Sequence, residues 1–241
     1  MPATYDTAEL RSLLARMAQR RIFFGHQSVG ADVVRGLAAL EKELAVPLNI
    51  VETRDLPAVA GPCFAHARIG RNGDPASKLD DFAALLDDGA GSALDLAMAK
   101  LCYVDVTRDT DTGELARHHD DIFDALTGRY PQLRFVHVTV PLTTGFFGLR
   151  GKAAKLLGRA DPAAPDNRAR ARYNDHLRAR YAANGQLFDL AAVESGSSAR
   201  RPGGDGTPAL SPALTRDGGH LNRRGRKLAA IALLRTLGRL I

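Results

Sequence analysis

Ser28, Asp217 and His220 have the side-chain types that a serine nucleophile and its proton-transfer partners require. A serine hydroxyl becomes reactive when a neighbouring imidazole removes its proton, and a carboxylate can hold that imidazole in the required tautomer. Only Gly218 and Gly219 separate Asp217 from His220, and glycines let the backbone turn sharply. This spacing can bring the carboxylate against one imidazole nitrogen and leave the other nitrogen free.

Ser28 has a structural interpretation as well. It follows the strand-like residues 21–24 and Gly25, and the apolar residues after it recur at the spacing of a helix. These apolar positions are Val29, Val33, Val34, Leu37 and Leu40. Serine is a preferred N-cap residue, so Ser28 could simply begin this helix. A strand, a tight turn and a helix can also hold one side chain at the mouth of a parallel sheet, and the presence of Asp217 and His220 favours this second interpretation.

The order of the predicted elements is that of an α/β protein. Helices are predicted over residues 7–19, 28–40, 77–86, 116–126, 167–181 and 221–240. Strands are predicted over residues 21–24, 47–52, 100–106, 133–140 and 187–190. Because a strand, a helix and a strand in succession imply a right-handed parallel crossover, the sheet should be mainly parallel. A chain of 241 residues that is 45% hydrophobic can bury a sizeable core, so we predict one domain over residues 1–241.

Two loops could add polar groups to a site at the carboxyl edge of this sheet. Residues 53–75 have no hydrophobic period and are predicted to form a long surface connection. Within them, residues 70–75 have the composition of a tight turn. This turn either is only structural or brings the Asn72 carboxamide and the Gly73 amide to the serine as hydrogen-bond donors. Asp105, at the end of the predicted third strand, is likewise either a loop-capping acceptor or a group that faces a ligand.

Composition limits the classes of function. The net charge is +6, but arginine is spread along several predicted helices without interleaved aromatic residues, so we expect no nucleic-acid partner. No apolar run has the length of a membrane span or the form of a signal peptide, so we expect a cytoplasmic protein without a membrane partner. Cys63 and Cys102 are most simply buried free thiols. His118 and His119, adjacent on a predicted helix, would not converge on one ion, and we expect no metal site and no cofactor.

Three blocks of the sequence can be compared with those of a known family. The block Asp217-Gly218-Gly219-His220-Leu221-Asn222 lies before the last helix and is followed by Gly225. The first block reads Gly25-His26-Gln27-Ser28, and a middle block reads Cys102-Tyr103-Val104-Asp105. Together with the order of the elements, the pattern resembles the SGNH (GDSL-like) hydrolase superfamily. That family has Gly-Asp-Ser in the first block and Gly-x-Asn-Asp in the middle one, so only the last block is a close match.

The resemblance implies both a fold and a reaction. The fold is a three-layer α/β/α sandwich around a central, mainly parallel, five-stranded sheet of the flavodoxin-like type. Ser28 would attack an ester carbonyl after His220 removes its proton, and Asp217 would stabilise the imidazolium that forms. The expected protein is a hydrolase of a small acyl ester, such as an O-acetyl group on a sugar. Its substrate would be a small-molecule or carbohydrate ester.

The resemblance also implies roles for residues around the nucleophile. Gly73 N–H and the Asn72 side chain would join the backbone N–H of the serine as oxyanion donors, because the Asn of the family is missing from the middle block. His26 and Gln27 would shape the acyl pocket, and Asp105 would lie at the substrate side. Two other functions stay open: acyl transfer to a sugar hydroxyl by the same triad, and a non-catalytic binding protein that retains the fold.

Overall fold

Six parallel strands form one sheet in residues 5–196 and 206–241, the part of the chain that the computed structural model describes. The strands are β1 (Arg21–His26), β2 (Ile50–Glu52), β3 (Cys63–Arg68), β4 (Leu96–Ala99), β5 (Arg134–Val138) and β6 (Leu187–Phe188). Their order across the sheet is β2-β3-β1-β4-β5-β6, and each neighbouring pair is parallel. The predicted parallel α/β architecture is confirmed, with six described strands rather than the predicted five.

Helices cover both faces of this sheet. The described helices are α1 (Thr7–Met17), α2 (Val29–Leu44), α3 (Pro75–Leu85), α4 (Thr112–Arg129), α5 (Gly148–Leu156), α6 (Ala164–Tyr181), α7 (Leu190–Ser195) and α8 (Arg223–Gly238). One apolar core contains residues of α1, α2, α7 and α8, and a second contains residues of α3, α4 and α6. Phe23 and Phe24, adjacent in β1, pack into opposite cores, as the alternation of side chains along a strand requires. The sheet is therefore the middle of three layers.

None of the helices in the described residues has the length and apolar character needed to cross a membrane.

The strand order reverses at β1, which has β3 on one side and β4 on the other. In open parallel sheets the loops that leave the strands at such a point diverge and leave a crevice at the carboxyl edge. Ser28 is the second residue after β1 and therefore lies at this crevice. The loops that follow β3 and β4 form its sides.

β3 lies inside the segment 53–75 that the sequence analysis predicted to be a long connection without regular structure, and that prediction is wrong. β3 pairs with the whole of β1, from Arg21 opposite Cys63 to His26 opposite Arg68. Its sequence, Cys-Phe-Ala-His-Ala-Arg, contains no β-branched residue and therefore lacks a local strand pattern. Pairing with strands on both sides, together with burial, makes this segment a strand.

The predicted third strand, residues 100–106, is displaced from the observed one. The strand is β4, and the residues after it form a loop with a short 3-10 turn at Tyr103–Asp105. The sequence of β4, Leu-Ala-Met-Ala, favours a helix by propensity, but all four residues are buried inside the sheet. Asp105 therefore lies in the loop beyond the strand rather than at the strand end.

Candidate active site

Ser28 occupies a strained turn between β1 and α2. Its backbone has φ 53° and ψ −112°, a conformation that non-glycine residues rarely adopt and that costs roughly 1–3 kcal/mol. Its side chain makes no N-cap hydrogen bond to α2. Instead, Ser28 Oγ lies 2.9 Å from Nε2 of His220. The structure thus favours the interpretation in which the turn presents the hydroxyl over that in which Ser28 caps the helix.

Asp217 and His220 form a closed turn before α8. Asp217 Oδ2 lies 2.8 Å from His220 Nδ1, and Asp217 Oδ1 accepts the N–H groups of Gly219 at 3.0 Å and of His220 at 2.7 Å. Burial acts to raise the pKa of Asp217, but these hydrogen bonds outweigh it and lower the pKa to about 2. The carboxylate is therefore charged at neutral pH, with the other imidazole nitrogen facing Ser28. The three predicted side chains form one hydrogen-bonded chain.

The loop that carries this turn packs against the segment after β5. The Thr144 N–H donates to the Gly218 carbonyl at 2.9 Å. Gly218 has φ 93°, and a Cβ at this position would lie 2.8 Å from the Thr144 carbonyl oxygen. A residue with a side chain would be strained and would push the two segments apart. Gly218 therefore permits the close approach that forms one wall of the site.

Asp32 joins the same loop to the helix that follows Ser28. It is fully buried on α2, and its carboxylate accepts the Leu221 N–H at 3.0 Å and the Arg226 Nε–H at 2.9 Å. The sequence analysis did not single out Asp32. The available signal was an acidic residue among the apolar positions of α2, one helical turn after Ser28.

Gln27 and His26 hold the turn after β1. Gln27 Nε2 donates to the carbonyls of Ile69 and Gly70, both at 2.8 Å. His26 is 3% exposed, and its Nε2 lies 3.2 Å from Nδ1 of His66. Burial, followed by the adjacent His66, lowers the pKa of His26 to about 3, so this ring is neutral. His26 is too buried to line a pocket, so the role expected for it is corrected. Gln27 is partly exposed, and its expected contribution to an acyl pocket stays a prediction.

Asp105 is a buried acceptor that holds two loops together. It pairs with Lys78 Nζ at 2.6 Å, and both side chains are 0% exposed. Its carboxylate also accepts the N–H groups of Gly73 at 2.8 Å and of Cys102 at 2.5 Å. Asp105 therefore has the loop-capping role rather than the ligand-facing one. The expectation that Gly73 N–H serves as an oxyanion donor is corrected as well, because this N–H is directed at Asp105.

The Asn72 side chain is held by Lys78, the partner of Asp105. Its Oδ1 accepts a hydrogen bond from Lys78 Nζ at 2.8 Å. Its side chain is exposed, and no residue in the described part of the chain hydrogen-bonds its Nδ2. The amide N–H groups of Asn72 are therefore free to donate to a ligand.

Tyr103 is a site residue that the sequence analysis did not assign. Its ring meets that of His220 edge-on, with the centroids 5.9 Å apart, and its hydroxyl lies near the Ser28 side chain. Burial raises the pKa of Tyr103, although the nearby Ser28 hydroxyl acts in the opposite direction, so the phenol stays protonated. Arg170 donates to the Tyr103 carbonyl at 3.1 Å and lies 5.8 Å from its ring centre. The available signal was a hydrogen-bonding side chain directly after Cys102 in the altered middle block.

An open cleft of about 440 Å³ lies beside the imidazole. Its lining residues are Tyr103, Thr143, Thr144, Asp217, Gly218, Gly219 and His220. This volume lies toward the lower end of the range for small-molecule sites. It can hold a small organic molecule.

The adjacent histidines on α4 have separate partners. His118 Nε2 lies 3.0 Å from Asp80 Oδ1, whereas His119 Nε2 lies 3.4 Å from His137 Nδ1. Among residues 5–196 and 206–241, no three His, Cys, Asp or Glu side chains are grouped as a metal site requires.

Comparisons with known proteins bear on the fold. No model of a known protein family matches the sequence. No curated protein matches it significantly. Solved structures that are similar to the chain include TesA, with TM-score 0.52 and 15% identity over 91% of this chain and 98% of that one. The psychrotrophic esterase EstA from Pseudoalteromonas sp. has TM-score 0.51 and 10% identity, and the match covers 91% of this chain and 97% of that one. A structure described as a putative lipolytic protein of the G-D-S-L family, from Desulfitobacterium hafniense DCB-2, has TM-score 0.50 and 8% identity. This match covers 90% of this chain and 99% of that one.

The chain shares the overall fold of these three structures, which is the fold expected from the resemblance to the SGNH hydrolases. The likeness extends over nearly the full length of these chains, which agrees with the resemblance seen in the order of the elements. At such low identity the likeness concerns the SGNH fold and not the substrate or the reaction. The reaction must be argued from the side chains at the carboxyl edge of the sheet.

Proposed function

We propose that the protein is a serine esterase that hydrolyses small acyl esters, such as an O-acetyl group on a sugar. One observation carries the proposal: the chain from Ser28 Oγ to His220 Nε2, at 2.9 Å, and from His220 Nδ1 to Asp217 Oδ2, at 2.8 Å. These distances are those of a nucleophile, a base and the group that orients the base. The strained backbone of Ser28 adds support, because strain of this kind is concentrated at functional sites.

In each half of the proposed reaction, His220 acts first as a base and then as an acid. His220 Nε2 takes the Ser28 proton while Oγ attacks the ester carbonyl, and Asp217 stabilises the resulting imidazolium. The imidazolium then protonates the leaving alcohol, so the acyl group remains on Ser28. Water then attacks the acyl carbonyl with His220 again as the base. The imidazolium returns this proton to Ser28 Oγ as the bond between Oγ and the acyl carbon breaks, so the carboxylic acid leaves and the serine hydroxyl is restored.

The tetrahedral intermediate needs hydrogen-bond donors for its oxyanion. The Ser28 N–H at the start of α2, the free Nδ2 of Asn72 and the Tyr103 hydroxyl are the proposed donors. Tyr103 takes the place of the Asn that the middle block lacks, and burial supports this role by keeping the phenol protonated. A single donor of this kind typically lowers the barrier by about 3 kcal/mol.

Labelling with a fluorophosphonate tests the proposal directly. Wild-type protein should be labelled once, whereas Ser28→Ala should not be labelled and should lose esterase activity on 4-nitrophenyl acetate by roughly 10⁴-fold. Ser12→Ala, which changes an exposed serine on α1, is the matched control and should behave as wild type. Equal labelling of wild type and Ser28→Ala would contradict the proposal, and absence of labelling in both would favour a binding protein.

Acyl transfer uses the same acyl-enzyme but a different acceptor. The cleft beside His220 is open, and the resulting access of water supports hydrolysis. Mass spectrometry of the products formed with a carbohydrate acceptor present separates the two outcomes. An acylated sugar as the main product would replace the esterase by a transferase.

A further inference from the structure

The exposed large hydrophobic side chains of the described residues all lie in two short segments of the chain. Phe147, Leu149, Leu156 and Leu157 lie within one short segment at α5, and Val104 adjoins Tyr103. The two leucines at the ends of α5, Leu149 and Leu156, are 85% and 89% exposed. Single exposed apolar residues are common, but a contiguous group marks an interaction surface. We refer to Phe147, Leu149, Leu156 and Leu157 as the apolar strip.

The orientation of α5 is the reverse of that of an ordinary surface helix. At about 100° per residue, Leu149 and Leu156 project on the same side, with Arg150 and Lys152 on either flank. The opposite side is marked by Gly151, which is buried and where a Cβ would lie 2.5 Å from the Phe146 backbone. The helix therefore packs on the protein through its smallest residue and turns its leucines to solvent.

The charged residues of the segment that carries the strip are all basic. The sequence contains no acidic residue between Gly145 and Ala160. Arg150, Lys152 and Arg159 are exposed beside the strip. An outward apolar face with cations on both flanks is the arrangement of helices that lie in the interface of an anionic lipid layer, where the long basic side chains reach the headgroups.

The strip is connected to the candidate site. The Phe147 Cβ lies 3.6 Å from the position of a Cβ on Gly218, in the loop that carries His220. The same loop hydrogen-bonds with Thr144, at the start of the segment that leads into α5. A surface bound by α5 would therefore lie next to the mouth of the cleft.

We propose that α5 docks the protein on anionic lipid surfaces through the apolar strip, with Arg150 and Lys152 contacting the headgroups. If the protein is an esterase, the cleft would take its ester from an amphiphile in that surface, and this consequence rests on the proposed function. Docking itself does not depend on the proposed function. The sequence analysis expected no membrane partner because no long apolar run is present. A short helix that lies on a surface does not need such a run.

Vesicle flotation of the full-length protein tests docking without any catalytic step. Wild type should float with phosphatidylglycerol vesicles, should float much less with phosphatidylcholine vesicles, and should be released by high salt. Leu149→Ser combined with Leu156→Ser should weaken binding by about 10- to 100-fold. Arg150→Glu combined with Lys152→Glu should also weaken binding by at least about 10-fold. Thermal unfolding close to that of wild type would show that these exposed changes leave the fold intact.

Two controls test whether vesicle binding depends on this particular surface. Arg223→Glu combined with Arg224→Glu makes the same charge change at the exposed start of α8 and should leave vesicle binding within about twofold of wild type. Ser28→Ala should bind as wild type, so loss of esterase activity and loss of docking are separable. Vesicle binding that does not depend on the leucines would overturn the proposal. A dimer in solution that the leucine substitutions dissociate would also overturn it, because the strip would then be covered by a second copy.

Discussion

Asp32 accepts the backbone N–H of Leu221 at 3.0 Å, which joins the first turn of α2 to the residue directly after His220. Its other carboxylate oxygen accepts Arg226 Nε at 2.9 Å, at the start of α8. Asp32 is fully buried, so both bonds are shielded from water. Ser28 and His220 come from opposite ends of the chain, and this carboxylate is one of the groups that determine the distance between them.

Replacing Asp32 by Asn should therefore impair both stability and activity. The substitution leaves Arg226 without its anionic partner and places an N–H₂ group where an acceptor is needed. We expect the free energy of unfolding to fall by about 3 kcal/mol, and kcat to fall by more than about 10-fold because the Ser28–His220 distance is no longer fixed. Urea unfolding and esterase kinetics measure the two effects.

The pair Glu43 and Lys227 supplies the control for Asp32, because it also joins α2 to α8 but is exposed. Glu43→Gln should change the free energy of unfolding by less than about 1 kcal/mol and leave kcat unchanged. If Asp32→Asn were equally mild, burial of the carboxylate would not be what couples the two ends of the site.

Tyr103→Phe should separate transition-state stabilisation from binding. The change removes only the hydroxyl near Ser28 and keeps the ring against His220. We expect kcat to fall by roughly 100-fold while KM changes little, because the donor acts mainly on the oxyanion. Tyr130→Phe removes a hydroxyl that bonds Asp87 instead and should leave the kinetics as in wild type. Equal kinetics for both variants would exclude Tyr103 as an oxyanion donor.

Lys78→Met should destabilise the protein strongly. It leaves the Asp105 carboxylate buried without its cation, which typically costs 3–5 kcal/mol, ~4 kcal/mol being the expected loss here. The exposed pair of Arg71 with Asp74 lies in the adjacent loop, so Arg71→Met is the matched control and should cost less than about 1 kcal/mol. Urea unfolding of both variants measures the two losses of stability. Equally small losses would show that the buried pair does not hold the two loops together.

The parts of the fold that sequence patterns predicted are those with a local signal. The apolar spacing after Ser28 predicted α2, and the Asp-Gly-Gly-His spacing predicted the contact between Asp217 and His220. β3 and β4 were missed or displaced because neither contains a β-branched residue that would mark it as a strand. Their conformation comes from pairing with β1, a contact between segments that are far apart in the chain.

The same limit applies to the candidate site. Gln27 reaches the carbonyls after β3, and the Gly73 N–H reaches Asp105 across residues that include all of α3. A sequence pattern can identify a glycine amide but not the acceptor that it meets. The oxyanion role expected for the Gly73 N–H could therefore be corrected only from the three-dimensional contact with Asp105. The role proposed for Tyr103 likewise depends on its position near Ser28 and His220.

The ionisation of Asp217 should contribute to stability in a defined pH range. Hydrogen bonds hold the pKa of its folded form at about 2, below the ordinary value of 3.8. A carboxyl whose pKa is lowered on folding stabilises the folded state above the ordinary value, and this contribution is lost as the pH falls through the folded pKa. Wild type should therefore lose stability relative to Asp217→Asn between pH values of about 4 and 2. Because the side chain is 45% exposed, we expect a difference of only ~1 kcal/mol. Urea unfolding at a series of pH values measures it, and a difference between the two proteins that stays constant over this range would show that the carboxylate is not held by these hydrogen bonds.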